Sequence, residues 1–428
     1  MRVKSTRGGD AATLVESIQA GLARDGGLYL PERPLPQITG EPASHSVSDV
    51  ARWLLAPWFA GETLERELDA ICAAAFTFDA PTYWTSERNG QLELFHGPTA
   101  AFKDFGARFL AECLARTPSS HATRTILVAT SGDTGAAVAA AFHGRPGFRV
   151  VVLYPDGRVS PRQAHQLGAF GDNVATYRVA GTFDDCQRMV KAAFGDASSS
   201  ERVGLSSANS ISLGRLLPQA AYWAKAALEA RDAGRDGITV VVPTGNLGNA
   251  FAAIIARDMG LPIARIVLAT NANRVLPDFL ETGHYEPRAS RATLANAMDV
   301  GAPSNIERLR AWWPDVGDLH EFLEADSVDD KAIRARIRST YSAQGVVVCP
   351  HTACGQEVAA RLRSRGERGP IVVAATAHPA KFESVVEPLV KRVVEAPESL
   401  AAILARPSSA IPLPAREDAL AAVLREAL

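Results

Sequence analysis

From about residue 120 onward the chain alternates short β-branched runs with segments of helical apolar spacing, and that alternation admits few architectures. The pairs are TILVAT then GAAVAAAFHG, FRVVVLYP then SPRQAHQLGAFG, and VATYRVA then FDDCQRMVKAAFG. Strands joined through helices lie parallel, so repeated units of this kind predict an open parallel sheet with helices packed on it. The rhythm resumes with ITVVVPT, ARIVLAT, GVVVCPHT and PIVVAAT, each followed by a loop and a helix, which predicts a second parallel sheet. Residues 1–88 read differently. AATLVESIQAGLA and VARWLLAPWFAGETLERELDAICAAAF carry helical spacing between glycine and proline breaks, which predicts a helix-rich N-terminal cap. At 428 residues the chain exceeds what one core serves. The expected division is the cap (1–88), a large α/β domain (89–120 and 225–428) and a small mobile α/β domain (121–224).

The formal charge of −2, with no basic block and no aromatic-basic interleaving, argues against nucleic acid as a partner. No apolar run approaches the length of a membrane span, and MRVKSTRGGDAAT lacks the apolar centre of a signal peptide, so no membrane association and a cytoplasmic location are expected. Five cysteines, an odd number scattered along the chain, resemble neither a disulfide framework nor a zinc site. Cys349 and Cys354 bracket PHTA without the spacing of a metal knuckle, so ordinary packing and no metal are expected. The tail ESLAAILARPSSAIPLPARED is proline-rich and then helical, and no chemistry is assigned to it.

Chemistry gathers in two places. In ELFHGPTAAFKDFG, residues 93–106, Lys103 stands between Phe102 and Phe105. An amine taken out of water loses its proton more readily and becomes the neutral nucleophile that condenses with an aldehyde. In VVVPTGNLGNAFAAIIARDMG an apolar run ends in a Gly/Asn loop and then turns helical, which describes a phosphate cup. Gly245 and Gly248 let the backbone approach an anion, and the amide hydrogens of 247–250 point at it with the favourable end of the helix dipole. Alone, each has an ordinary structural reading: a solvated lysine, a plain strand-to-helix turn. The other polar motifs, TSGDTG, TNANR, PHTACG and TAHPAKF, also fall at the carboxyl ends of expected strands, where open parallel sheets hold their ligands.

DGGLYLP, ELFHGPTAAFKDFG, TSGDTGAA, LYPDGRVSPRQ, SSANSISLGRLLPQ, PTGNLGN, NAMDVGAPSN, PHTACG and ATAHPAKF together resemble threonine synthases, pyridoxal-phosphate enzymes of the tryptophan-synthase-β-like group (fold type II), from about residue 5 to 390. The resemblance implies two parallel-sheet, three-layer domains and pyridoxal 5'-phosphate as cofactor. It implies that Lys103 carries the cofactor covalently and shuttles protons at the substrate carbons, and that Gly245, Asn246, Leu247, Gly248 and Asn249 bind the cofactor phosphate. Thr376 would place its hydroxyl against the pyridine nitrogen, and Asp133 would stand beside the cofactor with its role open, because a carboxylate there repels a phenolate-type oxygen unless one of them is protonated. Thr130, Ser131 and Thr134 are assigned to the substrate, Ser131 and Thr134 being the better grips for an oxyanion. Ser210 and Arg215 are assigned to the substrate phosphate, for which the guanidinium fork is the right chemistry. Asn296 and Asp299 would close the wall behind the site. His96, His351 and His378 are read as structural as readily as catalytic. YPDGR, GDN and GNLGN depart from the commoner family pattern and bear on substrate preference.

The implied reaction converts O-phospho-L-homoserine and water into L-threonine and phosphate, by loss of phosphate from Cγ and addition of water at Cβ. The expected partner is a phosphorylated amino acid, for an enzyme that is a monomer or small homo-oligomer. Open beside it stand a paralogue in specialised metabolism that adds another nucleophile or releases 2-oxobutyrate, and a non-catalytic ligand-binding homologue. A nicotinamide oxidoreductase is disfavoured, since GNLGN lacks the GxGxxG spacing.

Overall fold

The structure, a computed structural model, describes residues 1–9, 11–119, 121–195 and 204–425. Two parallel sheets form its framework. The larger has the spatial order Leu323–Ser327, Ile263–Thr270, Ile238–Pro243, Ile371–Ala375, Asn89–Glu93 and Thr82–Ser86; every pairing is parallel except the last, an antiparallel hairpin. The smaller has the order Ile411–Pro414, Val174–Ala180, Phe148–Pro155, Arg124–Ala129 and Leu205–Ser207, all parallel. The central strands Ile238–Pro243, Ile371–Ala375 and Arg124–Ala129 are buried along their whole length. This is why they read as unbroken apolar runs rather than as alternating ones.

Strand order fixes where a ligand can sit. In the large sheet the chain moves outward from Ile238–Pro243 in one direction and then returns to place Ile371–Ala375 on the other side. The small sheet does the same, with Arg124–Ala129 flanked by Phe148–Pro155 on one side and Leu205–Ser207 on the other. Each reversal leaves a crevice beyond the carboxyl ends of two neighbouring strands.

Residues 1–88 contain the expected helices Leu14–Ala20, Val47–Phe59 and Leu68–Ala75, and also a three-stranded antiparallel sheet, Ala11–Thr13, Arg2–Ser5 and Tyr29–Pro31. Trp58, fully buried, donates its indole N–H to the Met259 sulfur at 3.2 Å and ties the cap to the large sheet's helices. Burying such a ring contributes on the order of 2–3 kcal/mol.

One expected strand needs correction, and elements run across the expected domain boundaries. GVVVC is not a strand: Gly345 ends the helix Asp330–Gln344 in a left-handed turn (φ 68°), and Cys349 caps the next helix, Pro350–Ser364. Ile371–Ala375 already has neighbours on both sides, so no slot in the sheet remains beside it; the edge strand is instead LEADS, Leu323–Ser327. Two of the expected boundaries fall within elements. The hairpin Thr82–Ser86 with Asn89–Glu93 spans residue 88, and 224/225 falls inside the helix Ala220–Asp232. The tail, expected with the large domain, crosses to the small one. Ile411–Pro414 pairs with Val174–Ala180, and Leu420, Val423 and Leu424 of Glu417–Arg425 pack on Cys186, Met189 and Val190. Proline is tolerated there because the strand is an edge.

Candidate active site

Both crevices open onto one cavity of about 840 Å³. Lys103 and Thr376 line it, with Gly245, Asn246, Gly248 and Asn249 of the glycine turn. From the small sheet come Thr130, Ser131, Asp133 and Thr134, and between the two lie Ser210 and Arg215. Of the residues singled out as cofactor or substrate ligands in the sequence, Leu247 alone does not face it. Leu247 is buried and adopts φ 62°, and that left-handed turn aims the chain into the helix Gly248–Asp258.

Lys103 opens the helix Lys103–Ala115. The segment before it is stitched to the end of Ile371–Ala375. Phe102 N donates to Thr376 O at 2.9 Å, His378 N donates to Ala100 O at 3.0 Å, and Ala101 pairs with Ala377. Lys103 and Thr376 are therefore set side by side by backbone alone. Burial pushes the Lys103 amine down to about 8, with Arg215 and Lys381 adding to that and Asp133 opposing it. Phe102 flanks the amine, its ring centroid 5.7 Å from Nζ. Phe105 does not: two residues on along a helix it faces elsewhere, against Phe78 and Tyr222 at 4.7 and 5.1 Å.

The glycine turn is braced from three sides. Asn246 Nδ2 donates to Ser210 Oγ at 2.6 Å, its Oδ1 accepts from Ser304 N, and Asn305 Nδ2 donates to Asn246 O at 2.7 Å. Asn249 Oδ1 accepts from Tyr222 (2.7 Å) and Trp223 (2.9 Å), while its Nδ2 is buried without a partner. A Cβ on Gly245 would lie 2.9 Å from Met298 Cα, so only glycine fits that wall. The first amide hydrogens of Gly248–Asp258 have no acceptor one turn back, as at any helix start.

In TSGDTG, Thr130 Oγ1 accepts from Gly132 N and Gly135 N at 2.9 and 2.8 Å, so that hydroxyl is spent on shaping its own loop. Ser131 and Thr134 line the cavity half-buried. Asp133, buried, accepts from Gln163 Nε2 at 3.0 Å and pairs with Lys381 Nζ at 2.8 Å. Burial alone would raise its carboxyl, but Lys381 and Lys103 outweigh this and hold it well below the usual range. Lys381 went unnoticed in the sequence although TAHPAKF contains it, as did Gln163 in SPRQ, because neither pairing is local. Arg215 is buried beside the cavity. One Nη donates to Ala208 O, Nε has no partner, and burial lowers the guanidinium to about 10. Arg308, fully buried, holds Tyr29 O at 2.8 Å and Ile211 O at 2.5 Å.

The histidines are held structurally. His351 Nε2 accepts from Ala297 N at 3.1 Å, which places its proton on Nδ1; burial pushes it down to about 4. His378 Nδ1 accepts from Ala380 N at 3.2 Å, and burial likewise lowers it to about 4. His96 pairs with Glu93 at 2.8 Å. Asn296 donates to Gln163 Oε1 at 3.1 Å, and Asp299 accepts from Thr293 Oγ1 and Asn271 Nδ2, both at 2.7 Å, fixing the wall segment 293–299.

A family model described as "Pyridoxal-phosphate dependent enzyme" matches residues 90–377, so the fold and the site define a pyridoxal-phosphate dependent enzyme by class. Models for the N terminus and the C-terminal part of threonine synthase match residues 2–76 and 352–424. The threonine synthase of Haemophilus influenzae is 40% identical over 91% of each chain, and that of Escherichia coli 39% identical over 92% of this chain and 91% of its own. The crystal structure of the Escherichia coli enzyme superposes with a TM-score of 0.91 over 100% of both chains at 36% identity. A pyridoxal-phosphate-bound threonine synthase from Brucella melitensis gives 0.90 at 34%, covering 100% of this chain and 99% of that one. The chain belongs to the threonine synthase family. Among the described residues no helix is long and apolar enough to cross a membrane.

Proposed function

We propose that this protein converts O-phospho-L-homoserine and water into L-threonine and phosphate, with Lys103 as its catalytic residue. The observation that carries the reading is the meeting of a lysine of lowered basicity and a glycine turn in one cavity, where two strand-order reversals face each other.

The residues fit pyridoxal phosphate. The orphaned Asn249 Nδ2, the start of Gly248–Asp258 and the side-chain-free surface of Gly245 make a donor-rich cradle for its phosphate. Lys103 would supply the amine for its aldehyde, and Thr376, which lines the same cavity, would offer its ring nitrogen a hydroxyl and not a carboxylate. When bound, the cofactor supplies an electron sink for negative charge developing on substrate carbon. Lys103 would then move protons: it takes one from Cα and assists loss of one from Cβ as phosphate leaves Cγ; Cγ gains a proton to become a methyl group, water adds at Cβ, and a proton returns to Cα. Ser131 and Thr134 hold the substrate carboxylate. Arg215, with its unpartnered Nε, and Ser210 hold the phosphate that departs. The walls built by 293–299 and the two sheets exclude bulk water from the reacting centre. The small domain, built on the sheet that runs from Ile411–Pro414 to Leu205–Ser207, would close over the substrate.

Purified protein given O-phosphohomoserine should release phosphate and threonine in equal amounts. Phosphate accompanied by 2-oxobutyrate or another adduct would move the assignment to a paralogue, and no turnover by cofactor-loaded protein would overturn it.

A further inference from the structure

We propose that Lys381 is a positioning residue for this reaction: it neutralises Asp133, so that this carboxylate, which lines the same cavity as Lys103, does not retain the Lys103 proton. This rests on the reading of Lys103 as the reactive amine.

Lys381 lies in the short turn Pro379–Phe382, downstream of Thr376. Its ammonium is 2.8 Å from Asp133 Oδ1 and donates to Thr99 O at 2.8 Å, with the two side chains 1% and 4% exposed. Its carbonyl accepts from Ser160 Oγ at 2.6 Å, and the neighbouring Ala380 carbonyl accepts from Arg162 Nη at 2.8 Å, so the turn is anchored at both ends of the side chain's reach. Gln163 fixes Asp133 from the same side, and Gln163 Oε1 is itself held by Asn296 and by Ser160 N. The pair is thus a rigid unit built from both sheets.

A buried ion pair is weak evidence for stability, since well-packed apolar residues often replace one without loss. Its charges do decide what a third buried charge nearby feels. The charged groups around Lys103 are Asp133 on Asp133–Phe142, Lys381, Arg215 on Leu213–Leu216 and, on its own helix, Asp104, which is occupied by Thr99 N and Oγ1 at 2.8 and 2.7 Å; the titratable His351 lines the same cavity. Without Lys381, Asp133 would be an unpaired carboxylate next to an ammonium and would hold that proton strongly. With it, Lys103 feels a neutral pair and the charge of Arg215, which Asp104 opposes and burial weakens. The free amine needed to receive a carbonyl group, and to take a proton from carbon, is then reached near neutral pH.

The test uses the full-length chain as wild type, Lys381→Met, Asp133→Asn and the double variant, each dialysed free of cofactor with hydroxylamine. The pH dependence of Lys103 acylation by trace acetic anhydride is read by peptide mass spectrometry. The midpoint should rise by about one pH unit in Lys381→Met, fall in Asp133→Asn, and return close to wild type in the double variant. An unchanged midpoint in Lys381→Met, or a shift of the same sign in both single variants, would overturn the proposal. If Lys381→Met does not fold, by circular dichroism, the Asp133→Asn arm and Lys381→Gln carry the same signs. Borohydride trapping of pyridoxal phosphate on wild-type protein tests the underlying reading separately. Label at Lys103 supports it, and label elsewhere overturns it together with the proposal.

Discussion

Gly106→Ala should weaken catalysis far more than it weakens folding. Gly106 is the fourth residue of Lys103–Ala115, and a Cβ placed there would lie 2.3 Å from the carbonyl oxygen of Arg215 and 3.1 Å from its Nε. Two effects favour alanine: about 1 kcal/mol of helix propensity and about 0.8 kcal/mol for one buried carbon. Against them stands a contact shorter by about an ångström than van der Waals packing allows, made with backbone that has no rotamer to escape into. Overpacking of this kind costs about 3 kcal/mol at its upper end, leaving a net loss of roughly 1 kcal/mol and a fall in Tm of a few degrees. The same displacement moves Arg215 and Lys103 apart by a distance that, in a positioned site, lowers kcat/KM by about 100-fold. Thermal melts and steady-state phosphate release on one preparation separate the two effects. A variant with kcat/KM within twofold of wild type, or with a raised Tm, would show that the helix does not touch the Arg215 backbone as described.

Lys103→Ala should abolish both turnover and the visible absorption of bound cofactor; a coloured, active variant would refute the assignment. Arg215→Lys keeps the charge and loses the fork, so the KM for O-phosphohomoserine should rise by about 10- to 100-fold with cofactor affinity unchanged; a collapse of cofactor affinity in equilibrium titrations would mean that the two phosphate positions are reversed. His351 and His378 are held below their ordinary value, so the unfolded chain binds protons that the folded one refuses between pH 6.5 and 4. Stability should be full above pH 6.5 and fall on acidification, by at most about 3 kcal/mol for His351. Urea unfolding at pH 7 and pH 5 should show a shallower loss for His351→Gln, and an equal loss would refute this origin.

The parts of the fold that were legible are those whose chemistry is local. ITVVVPT and TILVAT announce strands because both faces are buried, and GNLGN announces a turn because its first glycine packs where no Cβ fits. LEADS is not legible because an edge strand carries polar residues, and GVVVC misleads because apolar content does not reveal whether a sheet has a free slot. The meeting of Lys103 with Thr376 came from motif order, while its physical cause, the backbone ladder at 100–102, is written in no side chain. Lys381 with Asp133, and Asn305 with Asn246, join residues separated by 248 and 59 positions, and no periodicity encodes such a pair.

The strand Ile411–Pro414 has a consequence for how the molecule is made. It fills the outer side of Val174–Ala180, a segment synthesised more than two hundred residues earlier. Until the ribosome has delivered the last part of the chain, that flank offers bare amide and carbonyl groups to any passing polypeptide. Nascent protein should therefore lean on chaperones late in translation, and a chain cut after residue 405 should precipitate even though every cavity-lining residue is present.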